Sequence, residues 1–306
     1  MNIVFMGTPD FAVKSLEAII ADGHNVQAVY TKADAPKGRK MVLTPSDVKV
    51  CALEHNLTVY TPATFKVEAE VERLKALNPD LIVVVAYGKL LPKSVLDIPK
   101  YGCVNVHGSI LPKWRGAAPI QWTVLSGDEY GGVTTMYMNE GLDTGDIILT
   151  RKVKVGENET SGQLFDRLCV DGAELLSETI KQIEAGTAPR IPQNNDEATY
   201  ASMLSKEISE IDFTKPAKEV HNKVRGLSPW PSAQSKLFGK RVKIIETRVS
   251  AKNGEAGKVI SVNPLTVACG DGSVEIVTLQ PEGKRAMASA DYLKGHPLEI
   301  GTVFGE

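Results

Sequence analysis

The chain has 306 residues, a formal net charge of −2 and 42% hydrophobic residues, a balance that suits two ordinary globular domains and excludes disordered and fibrous classes. No apolar run approaches the roughly 20 residues needed to cross a bilayer; the longest, Leu81–Ala86, has the length of a strand. The four cysteines, Cys51, Cys103, Cys169 and Cys269, lie far apart with no C-x-x-C pair, so neither a disulfide scaffold nor a Cys-based zinc site is expected, and a reduced cytoplasm fits.

Asn2 leads straight into the apolar run Ile3–Met6, which reads as a buried strand with no leader before it. Asp10 is a candidate cap for a helix whose Val13, Leu16, Ile19 and Ile20 share one face, and Val26–Tyr30 follows as a second strand. This β-α-β opening predicts a doubly wound, mostly parallel sheet. Gly7 is a lone glycine in the first turn, and without G-x-G-x-x-G the dinucleotide fingerprint is not met. Residues 32–43, KADAPKGRKMVL, set Lys32, Lys37, Arg39 and Lys40 against the single acid Asp34. Pro36 and Gly38 argue against a regular element there. The stretch exceeds the usual βα connection of about 2–6 residues. It reads either as a solvated loop or as a nucleic-acid contact. Thr44-Pro45 predicts a helix with Pro in its first position.

Thr58–Tyr60 predicts a short strand, and Lys66–Leu77 a charged amphipathic helix stopped by Asn78-Pro79-Asp80. Leu81–Ala86 is apolar throughout, as a central parallel strand covered on both faces should be. Ligands of open α/β sheets bind outside the carboxyl ends of the strands. The turns after Met6, Ala86 and His107 are therefore expected at one rim.

In residues 102–120, GCVNVHGSILPKWRGAAPI, Val104 and Val106 alternate with Asn105 and His107, so a strand would carry both polar side chains on one face. Gly108 breaks that strand, Ser109–Pro112 open a loop, and Lys113–Gly116 read as a charged, aromatic tip before a helical pattern at Ala117–Leu125. An Asn amide can donate to a carbonyl oxygen, and a His can exchange a proton near neutral pH. An isolated N-x-H would equally suit an ordinary strand end facing water. Gly132–Met138 and Ile147–Val155 predict strands joined by the turn Gly141–Asp146, which could bring Asp143 back to the Asn/His strand; D-x-G alone is ordinary turn chemistry. Thr160 is a cap candidate for a long helix to about Ala185, with Leu164, Leu168, Leu175, Leu176 and Ile183 facing a core.

Periodicity then fades into a polar, Pro- and Asn-containing stretch, read as a linker at 187–206 between domains at 1–186 and 207–306. Pro216–Gly226 predicts a helix. Ser235–Phe238, Arg241–Thr247, Gly257–Val262, Leu265–Ala268 and Val274–Leu279 predict five short strands, hence a small OB-like β-barrel. Residues 206–306 hold 15 Lys and Arg against 12 Asp and Glu, and the remainder 20 against 25; the basic excess hints at a polyanionic partner, although on charge alone a chance imbalance is the better reading.

Asn105-Val106-His107, the loop Ser109-Ile110-Leu111-Pro112 and Leu142-Asp143-Thr144-Gly145, at their mutual spacing, resemble the formyltransferase family that uses 10-formyltetrahydrofolate. GTPDFAV at Gly7–Val13, the basic loop at Lys32–Lys40, LPKWRGAAPIQW at Leu111–Trp122, GLDTGDI at Gly141–Ile147 and ATYASMLSKE at Ala198–Glu207 extend the resemblance over the whole chain. Ile110 stands where the family usually has Leu, a mild departure in a loop that presents backbone.

The resemblance implies a Rossmann-like catalytic domain and a C-terminal β-barrel, with 10-formyltetrahydrofolate as co-substrate and no metal. It implies formyl transfer to the α-amino group of methionine on initiator Met-tRNA, by a cytoplasmic chain read as a monomer with no membrane partner. It carries catalytic roles to Asn105, His107 and Asp143, folate contacts to Ser109, Ile110, Leu111, Pro112 and the main chain at Tyr87, Gly88 and Leu90, and tRNA contacts to Lys37, Arg39 and Lys40.

The chemistry needs a donor for the developing oxyanion, a base for the attacking ammonium and a proton for the leaving nitrogen. Asn105 and His107 suit these needs. Asp143 could either favour the charged imidazole or orient a relaying water. Two other classes remain open: a formyltransferase acting on a small amine such as a sugar nucleotide, and an RNA-binding protein without catalysis.

Overall fold

The computed structural model describes residues 1–38 and 41–305. In chain order, the first half runs β1 (Asn2–Gly7), α1 (Val13–Ala21), β2 (Asn25–Tyr30), β3 (Ala35–Lys37), β4 (Val42–Thr44), α2 (Asp47–Glu54), β5 (Val59–Tyr60), α3 (Glu68–Ala76), β6 (Leu81–Val85), α4 (Lys93–Leu96) and β7 (Cys103–His107). It continues through β8 (Arg115–Gly116), α5 (Pro119–Leu125), β9 (Tyr130–Tyr137), β10 (Ile147–Lys154), α6 (Ser161–Ala185) and β11 (Tyr200–Ala201). By contacts the chain divides into two units, one of Met1–Pro119, Gly132–Val153 and Phe165–Tyr200, the other of Ile120–Gly131, Lys154–Leu164 and Ala201–Glu306.

The first unit is built on a seven-stranded sheet of order β10-β9-β7-β6-β1-β2-β5. β1 pairs in parallel with β2 and β6, β6 with β7, and β2 with β5, while β9 runs antiparallel to β7. This is the doubly wound, mostly parallel architecture expected. Ile3, Val4, Phe5 and Met6, and likewise Leu81–Val83, are shielded on both faces, which is why these strands are apolar without alternation. Because β1, β6 and β7 are parallel neighbours, the turns after Gly7, Val85 and His107 leave the same edge of the sheet.

Three local expectations change. Asp10 starts a 3₁₀ turn, its carboxylate accepting from Phe11 N at 2.9 Å, and the α-helix begins only at Val13. Pro45 stands before the second helix, which Ser46 caps by accepting from Lys49 N at 3.1 Å. The basic connector is a regular element after all: β3 and β4 form a two-stranded antiparallel hairpin with Pro36 opposite Leu43. In so small a ribbon both strands are edges, where a proline interrupts no second ladder. Gly38 (φ 75°) and Met41 (φ 50°) supply the left-handed residues of the reversal; Arg39 and Lys40 lie outside the described residues.

The second unit contains α7 (Ala217–Gly226), β12 (Ala233–Leu237), β13 (Lys240–Ser250), β14 (Val259–Val262), β15 (Leu265–Ala268), β16 (Ser273–Pro281), β17 (Met287–Ala288) and α8 (Ser289–Gly295). The five main strands follow the order β12-β13-β16-β15-β14, all antiparallel, and β17 pairs with β16. Val303 bridges Lys258 beside β14, and Phe304 bridges Leu237 on β12, so the C-terminal segment joins both edges of the sheet, a way of closing a small barrel. β17 and α8 were not expected; both are too short to carry a periodic signal. No helix among the described residues is long and apolar enough to cross a membrane.

Candidate active site

Asn105 and His107 stand on one face of β7, both buried, at 8% and 6% exposure. Beyond His107 the chain reverses, and Trp114 adopts φ 59°, a conformation that costs a bulky residue about 1–3 kcal/mol. The Trp114 carbonyl oxygen lies 2.9 Å from His107 Nε2. A carbonyl can only accept, so Nε2 carries a proton and Nδ1 is the position left to exchange one.

His107 Nδ1 faces Asp143 Oδ2 at 3.7 Å. That separation is an ion-pair distance and too long for a direct hydrogen bond. Asp143 is itself in a left-handed conformation (φ 52°) at the head of the turn between β9 and β10. Its Oδ2 accepts from Gly116 N at 2.8 Å, fixing the carboxylate beside the imidazole. Gly145 packs against the carbonyl of Tyr137 so closely that any side chain there would collide with it, so the turn can lie on β9 only with glycine at that position. Among the described residues no side-chain hydrogen bond engages the Asn105 carboxamide. A buried amide with no protein partner among the described residues, two positions from His107 on the same strand face, is a donor available to a bound carbonyl.

The loop after His107 is tied down from below. Ser109 Oγ donates to Lys113 O at 2.6 Å, Thr134 Oγ1 on β9 donates to Ser109 O at 2.7 Å, and Leu111 N donates to Thr134 Oγ1 at 3.2 Å. Ser109 and Leu111 are buried, Ile110 and Pro112 half-buried. The Ser109 hydroxyl is thus spent on the loop, which leaves main chain and apolar surface to face a ligand. Across the rim, the carbonyl of Tyr87 accepts from Thr8 Oγ1 at 3.0 Å, and its ring is buried in the core with Tyr30 and Phe65. Gly88 has φ 71°, and Leu90 is 81% exposed.

Arg115, read from sequence as part of a charged tip, is instead 2% exposed. Its guanidinium donates to Gln193 Oε1 at 3.1 and 2.8 Å and to Asn195 Oδ1 at 2.9 Å. Gln193 Nε2 in turn donates to Asp143 O at 2.9 Å and Gly145 O at 2.7 Å. Trp114 N donates to Thr199 Oγ1 at 2.9 Å, and Arg115 N to Thr199 O at 2.9 Å. Sequence reasoning missed Gln193, Asn195 and Thr199, since all three fall in the stretch taken as linker. The available signal was a run of amides and hydroxyls (Gln193, Asn194, Asn195, Thr199) able to satisfy a desolvated cation.

Lys37 is exposed on the hairpin, whose base is held by a Thr31 Oγ1 to Ser46 Oγ hydrogen bond of 2.7 Å and by a Lys49–Asp34 ion pair of 2.7 Å. No group of three or more His, Cys, Asp or Glu side chains that could hold a metal ion occurs among the described residues.

The formyl transferase family matches residues 1–180, and the formyl transferase C-terminal domain family matches residues 203–297. The methionyl-tRNA formyltransferase of Agathobacter rectalis is 49% identical over 99% of both chains, and that of Clostridioides difficile 46% identical over 100% of both. Among solved structures, an N-formyltransferase from Helicobacter canadensis with folinic acid and dTDP-3-aminofucose aligns with TM-score 0.68 at 21% identity, over 92% of this chain and 99% of that one. HypX from Aquifex aeolicus with tetrahydrofolic acid aligns with TM-score 0.62 at 18% identity, over 100% of this chain and 51% of that one. Those two likenesses bear on the fold; the full-length identities bear on the branch, and the chain belongs to the methionyl-tRNA formyltransferases of the formyl transferase family.

Proposed function

We propose that this chain transfers the formyl group of 10-formyltetrahydrofolate to the α-amino group of methionine on initiator Met-tRNA. The observation that carries the reading is the approach of Asp143 to Nδ1 of His107, on the strand that also carries Asn105, whose amide has no hydrogen-bond partner among the described residues. Asn105 donates to the formyl oxygen as it becomes anionic. His107 Nδ1 accepts the proton that the attacking ammonium must lose, and the Asp143 carboxylate stabilises the imidazolium so formed. His107 Nε2 stays on the Trp114 carbonyl throughout, which holds the ring in one orientation. Nδ1 then passes that proton to the leaving nitrogen as its bond to the formyl carbon breaks, and the second proton, shed by the nitrogen that becomes the amide, goes to solvent. No covalent intermediate on the protein is required.

The residues present suit a folate: an unused buried donor at Asn105, the half-buried surface of Ile110 and Pro112, and the exposed turn at Gly88–Leu90. In this reading residues 1–186 are the catalytic domain, 187–206 the joining stretch and 207–306 the tRNA-binding β-barrel. Lys37, with Arg39 and Lys40, meets the acceptor end of the tRNA. The four unpaired, buried cysteines suit a reducing cytoplasm, and the chain acts as a monomer.

The test incubates the protein with 10-formyltetrahydrofolate and either charged initiator tRNA, charged elongator tRNA or an amino-sugar nucleotide. Formyl transfer to initiator Met-tRNA is the expected result. Preferential transfer to the amino sugar would overturn the assignment.

A further inference from the structure

Two lysines meet at the rim, and among the described residues neither has a carboxylate counter-ion. Lys32 leaves the carboxyl end of β2, and its side chain lies across Gly88: a Cβ at Gly88 would sit 2.5 Å from Lys32 Nζ and 2.9 Å from its Cε. Lys89 follows β6. Its ammonium donates to the carbonyls of Pro62 and, at 3.2 Å, Ala63, and lies 5.8 Å from the centre of the Tyr87 ring. Burial, then the charge of Lys32, hold Lys89 below the ordinary lysine value. Among the described residues no carboxylate pairs with either ammonium. The nearest acid in sequence, Asp34, is engaged by Lys49 at 2.7 Å.

Two like charges held together by main-chain carbonyls and a glycine turn repel one another unless an anion arrives from outside. Their place limits the anion. β2 is three strands from β7 in the sheet, about 14 Å at the usual strand spacing, and β6 is adjacent to β7. The lysines therefore stand beside the His107 site without reaching into it. A folate whose formyl nitrogen lies at Asn105 and His107 carries carboxylates only on its glutamyl tail, separated from that nitrogen by a benzoyl amide. A glutamyl terminus presents two carboxylates, matching two ammoniums.

We infer that Lys32 and Lys89 form a seat for the glutamyl carboxylates of the folate co-substrate. This rests on the folate reading given above. Lys89 is pre-oriented by Pro62 and Ala63, so it loses little freedom on binding, and the stem of Lys32 already lies across Gly88. Gly88 is left-handed at φ 71°, so a side chain there would strain the backbone as well as displace Lys32.

The test titrates the full-length protein, without tRNA, with tetrahydrofolate bearing one or five glutamyl residues, by calorimetry at low and high salt. Wild type, Lys32→Gln, Lys89→Gln and the double variant are compared, with KM for Met-tRNA measured alongside. The expected result is tighter wild-type binding of the pentaglutamate, and a loss of about tenfold in the double variant at low salt that shrinks at high salt. Variants that bind both folates as the wild type does would overturn the seat while leaving the reaction standing. A raised KM for Met-tRNA with unchanged folate affinity would assign the lysines to RNA phosphate and likewise overturn it. Wild-type protein that bound no tetrahydrofolate would overturn the seat and the proposed reaction together.

Discussion

Gln193 joins the backbone of Asp143 to the buried guanidinium of Arg115, with its carboxamide nitrogen 2.9 Å from Asp143 O and its oxygen 2.8 Å from Arg115 Nη2. One side chain thereby fixes two loops, the turn that carries the carboxylate and the loop whose Trp114 carbonyl orients His107. The stretch that joins the two family domains thus also braces the site.

Gln193→Ala should leave tRNA affinity unchanged and lower kcat about tenfold or more, because a displaced carboxylate loses its alignment with the imidazole. It should also lower stability by about 1–3 kcal/mol, the cost of leaving buried donors and acceptors unpaired. Thermal melts and a kcat-against-KM comparison read the two effects separately. A variant with lowered Tm and wild-type kcat would show that Gln193 only braces the fold.

Asn105→Ala removes the proposed oxyanion donor and should cost on the order of 10²–10³ in kcat. His107→Ala and Asp143→Ala should also lower kcat strongly, with little change in tRNA binding. The three losses should not add, since the groups act as a unit. Single-turnover rates on the single and double variants provide the measurement; near wild-type turnover in His107→Ala would remove the residue from the mechanism.

The sheet and its rim were legible because β1, β6 and β7 carry strong, local signals: an all-apolar run, or the alternation of Val104 and Val106 with Asn105 and His107. The strand-turn-strand pattern offered the approach of Asp143 to His107 only as one option, since 36 residues separate them and a D-x-G turn does not say where it packs; the resemblance singled it out. Arg115 was misread because composition reports charge, whereas its burial depends on Gln193 and Asn195, almost 80 residues away. The hairpin at 35–44 was misread for the opposite reason. Pro36 is a breaker in a central strand, and only the topology reveals that this ribbon is all edge.

On that hairpin, Lys37 pairs across to Val42 and is exposed. Lys37→Ala should weaken tRNA binding evenly across sequences and reduce the slope of log affinity against log salt by about one unit. Arg39→Ala, with a planar fork lost, should instead lower kcat/KM for initiator tRNA and erode its preference over elongator tRNA. Salt titrations of tRNA affinity distinguish the two. If deletion of residues 37–40 changed neither rate nor preference, the hairpin would be only a connector.

A buried histidine in the second unit makes stability depend on pH. His221, 4% exposed, has Nε2 at 3.1 Å from Glu157 O and Nδ1 at 2.9 Å from Thr247 Oγ1. The carbonyl can only accept, so the neutral ring donates from Nε2 and can accept the threonine hydroxyl at Nδ1. Burial is the main cause that holds His221 below its usual value, and Arg225 adds to it, while the Glu157 carbonyl works in the opposite sense. With the folded value depressed, the unfolded chain binds the extra proton first as pH falls. The neutral ring's contribution is therefore complete above the unfolded value near 6.5. It is lost progressively as pH drops through that value toward the folded one. Replacing the ring by Gln removes the titration and keeps a donor for Glu157. The Tm advantage of wild type over His221→Gln should be largest at pH 7.5 and shrink by pH 5, measured by thermal melts across that range. A difference independent of pH would mean that His221 stabilises the fold by packing alone.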